Sequence, residues 1–404
     1  LHILLIHQAF AALDEPGGTR HHELARYFSE LGHLVTIITS PINYLTGKAH
    51  SSKIPWAEKQ NDGESITILR TYVYPSLHRS FAHRLINFFS FMLSSFLVGL
   101  GVKQVDLVWG TSPPIFQGLT AWALARIKHV PFLFEVRDLW PAFAISVGVL
   151  HQPILIKLSE WLEGFLYHHA DMVVVNSPGY IQHVLNRGAH QVELVANGTD
   201  TTMFNPSVDG TAFRLAHALG NKFVVLYAGA HGLSNDLGVV LEAAKRIRQR
   251  NDIVIVLLGD GKDKSDLQSQ AARDGLENVI FLPPVPKVQM PNALAAADAC
   301  VAILKPVDLY KTTYPNKVFD YMAAGKPILL AIDGVIKEVI KNARAGIAIP
   351  PGNPEALANA ILTLADNPEL ALRMGKQARQ YAETHFDRAK LASKFMGIIN
   401  RLVS

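Results

Sequence analysis

Two glycine-rich loops are the first residues of this chain with a chemistry of their own. Gly17-Gly18 follows the apolar run Ile3–Ile6, and Gly229-Ala-His231-Gly232 follows Val224–Ala228, each ahead of a helical pattern. Glycine between a strand and a helix lets backbone amides approach a phosphate, and the helix N-terminus adds a favourable dipole. One such loop is weak evidence; two at equivalent places in tandem halves predict two Rossmann-like domains facing each other. Other chemistries lack their constellations. No Ser/His/Asp spacing and no paired carboxylates stand out. His21-His22 and His168-His169 lack ligand spacing, and Asp260, Asp263 and Asp266 read as a solvated loop, so no metal site is expected. The single cysteine, Cys300, excludes an intrachain disulfide and reads as a small core residue.

The elements that must position those loops follow one plan throughout. Short apolar runs alternate with amphipathic helical patterns, the signature of parallel α/β units. Seven runs lie between Ile3–Ile6 and Val192–Val195, and six between Val224–Ala228 and Ile347–Ile349. With 404 residues, 49% hydrophobic and 18% charged, the chain can bury two cores. The expected domains are 1–200 and 201–384, with a last helix at about 385–404 crossing back onto the first. A net charge of +4 suits an anionic small molecule or an anionic membrane surface and is too small to argue for nucleic acid. Leu1–His7 reads as a buried strand rather than a secretory signal. Leu85–Val102 carries no charge and reaches the lower edge for a transmembrane helix. It reads as a helix partly in the core and partly interfacial, with Arg79 and Arg84 at its start and Phe88 and Phe91 in its body.

Four collinear segments resemble the GT4 family of GT-B glycosyltransferases over nearly the whole chain. They are Gly17-Gly-Thr-Arg-His-His-Glu-Leu-Ala25 with Gly32-His33, Asn197-Gly-Thr-Asp-Thr-Thr-Met-Phe204-Asn-Pro206, Gly259-Asp-Gly261, and Tyr314-Pro-Asn-Lys-Val-Phe-Asp-Tyr-Met-Ala-Ala-Gly-Lys-Pro327. Val136-Arg-Asp-Leu-Trp-Pro141 resembles WbuB-type bacterial O-antigen transferases that handle amino-deoxy sugars. The resemblance implies two Rossmann-like domains with parallel sheets facing a central cleft. It also implies a retaining, metal-independent, hexosyltransferase-type reaction with a UDP-sugar as donor and no cofactor.

The same resemblance assigns roles. Uracil would meet the loop around Pro284 and Val285, Asp320 would accept from ribose hydroxyls, and Asn316-Lys317-Val318 would hold the diphosphate at a helix start. The family's first glutamate of E-x7-E falls on Thr312, and its diphosphate-clamping Arg and Lys fall on Ala230 and Asn235. Leaving-group charge is then left to Gly17, Gly18 and Lys317, with Arg20, the Gly229 loop and His231 as further candidates. Arg137 and Asp138 stand where many relatives have His-Asp. Arg137 is permanently cationic and cannot act as a base, which leaves Asp138 to orient the acceptor or a sugar hydroxyl, or the two to form a local salt bridge. The expected acceptor is a polyprenyl-diphosphate-linked sugar or another glycan, at the cytoplasmic face of a bacterial plasma membrane in surface-polysaccharide synthesis. Arg79, Arg84, Phe88 and Phe91 would face that membrane. A UDP-sugar 2-epimerase and a non-catalytic sugar-nucleotide-binding scaffold are the alternatives.

Overall fold

The computed structural model describes residues 1–44, 47–50, 56–75 and 81–404. It divides into two units, Leu1–Leu13 with Gly17–Ala196 and Ala389–Ser404, and Asn197–Arg388 with Asp14–Pro16.

The strands of the first unit are β1 (His2–Ile6), β2 (Leu34–Thr39), β3 (Ala57–Asp62), β4 (Ile66–Thr71), β5 (Leu107–Ser112), β6 (Phe132–Val136), β7 (Met172–Val175) and β8 (Val192–Leu194). They form one sheet in the order β3-β4-β2-β1-β5-β6-β7-β8. All neighbours are parallel except β3, which runs antiparallel to β4. Most strands are unbroken apolar runs because helices cover both faces of the sheet. β3 is the exception: Ala57-Glu-Lys-Gln-Asn-Asp62 is polar and nearly all exposed, and only its pairing to β4 makes it a strand. One face packs Phe28 and Trp109 against Phe395 of the chain's last helix, with Trp109 and Phe395 4.9 Å apart edge to face.

The second unit has β9 (Phe223–Ala228), β10 (Ile253–Leu258), β11 (Val279–Leu282), β12 (Ala299–Ile303), β13 (Ile328–Ala331) and β14 (Gly346–Ala348). These are all parallel, in the order β11-β10-β9-β12-β13-β14. Its core joins Tyr227, Ile255, Val301 and Leu329 to Leu357 and Ile361 of the helix Pro354–Asp366. Both sheets reverse their direction of growth beside their first strand, between β1 and β5 and between β9 and β12. Connections leave those neighbours toward opposite faces, so a crevice opens at the strands' carboxyl ends.

The helix Phe81–Gly101 is long and apolar enough to cross a membrane by length and composition, yet polar hooks fasten one face of it to the first unit. Asn87 donates to the Tyr74 carbonyl at 2.6 Å, and Ser94 to the Tyr72 carbonyl at 2.6 Å. Ile86, Phe89, Leu93, Leu97 and Leu100 form an exposed stripe on the other face.

Candidate active site

The crevice of the second unit is built at the end of β9. Gly229 follows the strand at φ 151°, and a Cβ there would stand 2.6 Å from Lys317 Nζ. The backbone favours glycine there, and a Cβ would displace the tip of the lysine from this position. Lys317, in the first turn of the helix Asn316–Ala323, donates to the Tyr227 hydroxyl at 2.8 Å and lies 4.0 Å from that ring's centroid. Tyr227 in turn donates to the Ala230 carbonyl at 2.7 Å. Loss of solvent pushes the Lys317 ammonium down to about 7. A phosphate beside it would favour the charged form.

His231 lies two residues further on, fully buried, and neither ring nitrogen has a partner among the described residues. Burial, then Lys264 and Lys317, lower it to about 4, so the ring is neutral. At Gly259 a Cβ would fall 1.9 Å from the Gly229 carbonyl oxygen, so only glycine lets the ends of β9 and β10 approach. The loop amides differ from the sequence expectation. Those of Gly229 and His231 are committed to the Leu258 and Asp260 carbonyls, at 3.0 and 2.8 Å. The Val318 amide bonds the Pro315 carbonyl at 3.1 Å, and its side chain is in the core. The Asn316 carboxamide oxygen faces Arg388 at 3.4 Å. Asn235 sits in the turn before the helix Leu237–Arg246, and Pro284 and Val285 are half-buried in the loop after β11.

Asp320 is braced within the second unit and is not a solvated acid on a helix face. It is 6% exposed, and both its oxygens are engaged, Oδ1 by Thr199 at 2.9 Å and Oδ2 by Lys287 at 2.6 Å. No free carboxylate faces outward at 320. The Asn197-Gly-Thr motif is the other half of this clamp. Asn197 donates to the Tyr314 carbonyl at 2.8 Å, and the Arg388 amide to that of Thr199 at 2.8 Å. Two of the segments that carry the family resemblance brace each other.

The first unit's crevice is a cavity of about 400 Å³ where β1 and β5 end, lined by Gln8, Tyr44, Asn87, Pro113, Arg137 and Trp140 among others. Gln8 donates to Asn87 at 2.7 Å. Arg137 donates to the Pro113 carbonyl at 2.8 Å, and its Nε is buried without a partner among the described residues. Burial lowers the Arg137 guanidinium, partly offset by Glu135. Burial also pushes the neighbouring Asp138 up to about 7, against the pull of Arg137 and of the Leu139 amide. A carboxyl at that value can take or give a proton near neutrality.

Gly17 packs on Tyr44, where a Cβ would meet the ring at 3.1 Å, and the Gly18 amide donates to the Tyr44 hydroxyl at 2.9 Å. Arg20 is a correction. Its guanidinium donates to Glu135 at 2.9 Å and to the Val195 and Ala196 carbonyls, both at 2.9 Å, and it is buried, so it is an anchor and not a free phosphate ligand. Behind it His21 Nε2 lies 2.7 Å from Glu135, and the His21 and His7 rings are 4.0 Å apart. Burial alone would raise the Glu135 carboxyl, but Arg20 and His21 outweigh it and hold it well below the carboxylate range. Burial brings His21 down to about 4, Glu135 opposing.

Of the residues expected at the membrane, Arg84 is exposed and Phe88 is half-buried, stacked 5.7 Å from Phe116. Phe91 is 0% exposed, on the hooked face of its helix, and so belongs to the core and not to a membrane face. Arg79 lies outside the described residues. Tyr227 had no sequence signal beyond an aromatic in an apolar run.

Residues 17–198 match the model of the glycosyl transferase 4-like domain, and residues 211–381 that of glycosyl transferases group 1. The chain is a glycosyltransferase, and its two Rossmann-like domains have the GT-B fold. Over 395 residues it is 24% identical to WcaI of Escherichia coli (strain K12), a protein named for colanic acid biosynthesis glycosyl transfer, covering 93% of this chain and 94% of that one. Sucrose-phosphate synthase from Thermosynechococcus elongatus has the same fold, with a TM-score of 0.77 at 19% identity over 99% of this chain and 98% of that one. So does Anabaena Alr3699/HepE in complex with UDP and glucose, with a TM-score of 0.74 at 17% identity over 99% and 100%. The chain's relatives thus include a bacterial polysaccharide transferase.

Proposed function

We propose that this glycosyltransferase moves a hexose from a UDP-sugar to a lipid-linked glycan acceptor, with retention at the anomeric carbon and without a metal ion. The second unit holds the donor and the first the acceptor. N-acetylated amino-deoxy hexoses are the first donors to try, and the setting is bacterial surface-polysaccharide synthesis at the cytoplasmic face of the plasma membrane, with the enzyme held peripherally. UDP in the HepE complex supports the choice of nucleotide.

The observation that carries the donor assignment is Lys317, wedged over Tyr227 beside Gly229 at the carboxyl end of the second unit's central strand. In the reaction the acceptor oxygen bonds the anomeric carbon on the face from which UDP departs. The bond from that carbon to the β-phosphate oxygen breaks, and the acceptor proton passes to the β-phosphate. Such a route asks the protein for positioning and for stabilisation of charge on the leaving diphosphate. Lys317 supplies the second, and Arg137 and Asp138 orient the acceptor. Incubation with UDP-sugars and a polyprenyl-diphosphate-linked sugar tests this. Release of UDP with one α-linked sugar added from an α-linked donor is expected. Isomerised UDP-sugar without transfer would make the protein an epimerase, and binding without turnover a scaffold.

A further inference from the structure

Beside the first unit's crevice lies a second cavity, of about 410 Å³, with more strongly apolar walls. It runs between the helices Phe81–Gly101 and Pro153–His169 and is lined by Met92, Leu119, Ala144, Leu155, Leu158 and Trp161 among others. Arg84 is the one charged side chain among the described lining residues. The two cavities share Arg84, Phe88, Phe116 and Trp140 as walls. The polar cavity adds a second arginine, Arg137, with Gln8, Tyr44 and Asn87. Two adjoining cavities, one carrying polar groups and a second arginine and the other apolar, thus share an aromatic wall, with Arg84 bordering both.

We infer that the groove holds the apolar chain of a phosphate-bearing isoprenoid lipid, with the phosphate at Arg84 and the attached sugar in the polar cavity. This rests on the lipid-linked acceptor proposed above and adds that the chain enters the protein instead of remaining in the bilayer. Charge and surface chemistry select a hydrocarbon chain with an anionic head, and the proposed acceptor makes that chain an isoprenoid. A peptide would bring amides that the apolar walls cannot satisfy, at a cost in desolvation. A hydrocarbon chain needs no such partners, and the volume is that of an ordinary small-ligand site. The groove's rims are apolar too: Trp161 is 63% exposed, Leu158 57% and Phe89 51%. Aromatic and aliphatic side chains of this kind sit readily at a membrane interface.

Farnesyl diphosphate, added to the full chain without vesicles and followed by calorimetry, tests the inference. It should bind at least about tenfold more tightly than inorganic diphosphate, since the chain contributes beyond the head. Ala144→Phe, which fills the groove, and Leu158→Asp, which charges its rim, should each remove that advantage while UDP binding is unchanged. UDP binding serves as the check on folding. Equal affinity for farnesyl and inorganic diphosphate, or wild-type affinity in both variants, overturns the groove. So does a dimer of the chain that Leu158→Asp dissociates without any farnesyl diphosphate binding. Transfer to a lipid-linked sugar by wild type and Ala144→Phe alike would overturn the groove and leave the acceptor intact. Farnesyl diphosphate binding lost in both variants upholds the groove even where no lipid-linked sugar is glycosylated, in which case the acceptor assignment fails alone.

Discussion

The crevices of the two units stand at the same topological place and have different walls. Both open where a parallel sheet reverses its growth, beside β1 in the first unit and β9 in the second. Beside β9 the walls are glycine, two lysines and one neutral histidine, so tight that a Cβ at 259 would collide with backbone. Beside β1 the walls are two arginines, amides, proline and aromatics around open volume. Topology decides where a ligand can approach, and the loops decide what it can be. One crevice offers a lysine in a tight glycine-walled corner, the other an open volume with both cationic and apolar walls.

The largest effect expected on this contrast comes from Lys317→Ala. If the lysine stabilises charge on the departing diphosphate, kcat should fall on the order of 10²- to 10³-fold, the scale for loss of one preorganised charge-stabilising group, with a smaller change in donor affinity. Equal losses in kcat and affinity would reduce Lys317 to uniform binding. The pH dependence has a definite sign. Lys317 sits at about 7 in the folded protein against its ordinary 10.5. A diphosphate selects the ammonium, so UDP affinity should decline as pH climbs through about 7. Stability runs the other way. Between those two values the unfolded chain holds more protons, so the lysine's contribution to stability rises with pH. Calorimetry of UDP binding and denaturant unfolding across pH 6 to 9 read the two trends.

Asp320→Ala separates a ligand from a brace. The Asp320–Lys287 pair is nearly buried, and removing one partner of such a pair costs about 3–5 kcal/mol. Denaturant unfolding of the second unit should show a loss of that order. Undiminished stability with weakened UDP binding would restore the ribose role. Tyr227→Phe comes next. It removes the acceptor of the Lys317 hydrogen bond and keeps the ring, so kcat should drop about tenfold, the scale of one hydrogen bond to a charged group. An unchanged kcat would mean that the ring and Gly229 alone position the lysine.

Much of the architecture was legible because burial on both faces of a sheet leaves unbroken apolar runs, as in Val224–Ala228 and Ile253–Leu258. β3 was not, since its five polar residues after Ala57 carry no apolar signal and its partner strand alone specifies it. Lys317 was legible from the motif around it. The partners of Arg20 and Asp320 were not legible for one physical reason: whether a charged side chain is free depends on residues far along the chain. Glu135 lies 115 residues from Arg20, and Thr199 lies 121 from Asp320. Tyr227 was invisible for the converse reason, because a buried aromatic ring in a strand looks the same with or without a lysine above it.

The smallest effect on function should come from the outer face of the helix Phe81–Gly101, and it draws the same line between brace and contact within one element. Phe91 is 0% exposed, whereas Leu93, two residues on, is 59% exposed and Leu97 47%. Leu93→Ser with Leu97→Ser removes apolar area that the fold does not use, so unfolding should change by only a few tenths of a kcal/mol. Binding to anionic vesicles, measured by sedimentation, should weaken by about tenfold or less, since two partly exposed leucines supply only part of an interfacial contact. Phe91→Ser should do the reverse, costing about 3–5 kcal/mol of stability through the cavity it leaves. Full vesicle binding by the double serine variant would mean that the exposed stripe has no bilayer against it, and the membrane assignment would then rest on the groove and Arg84.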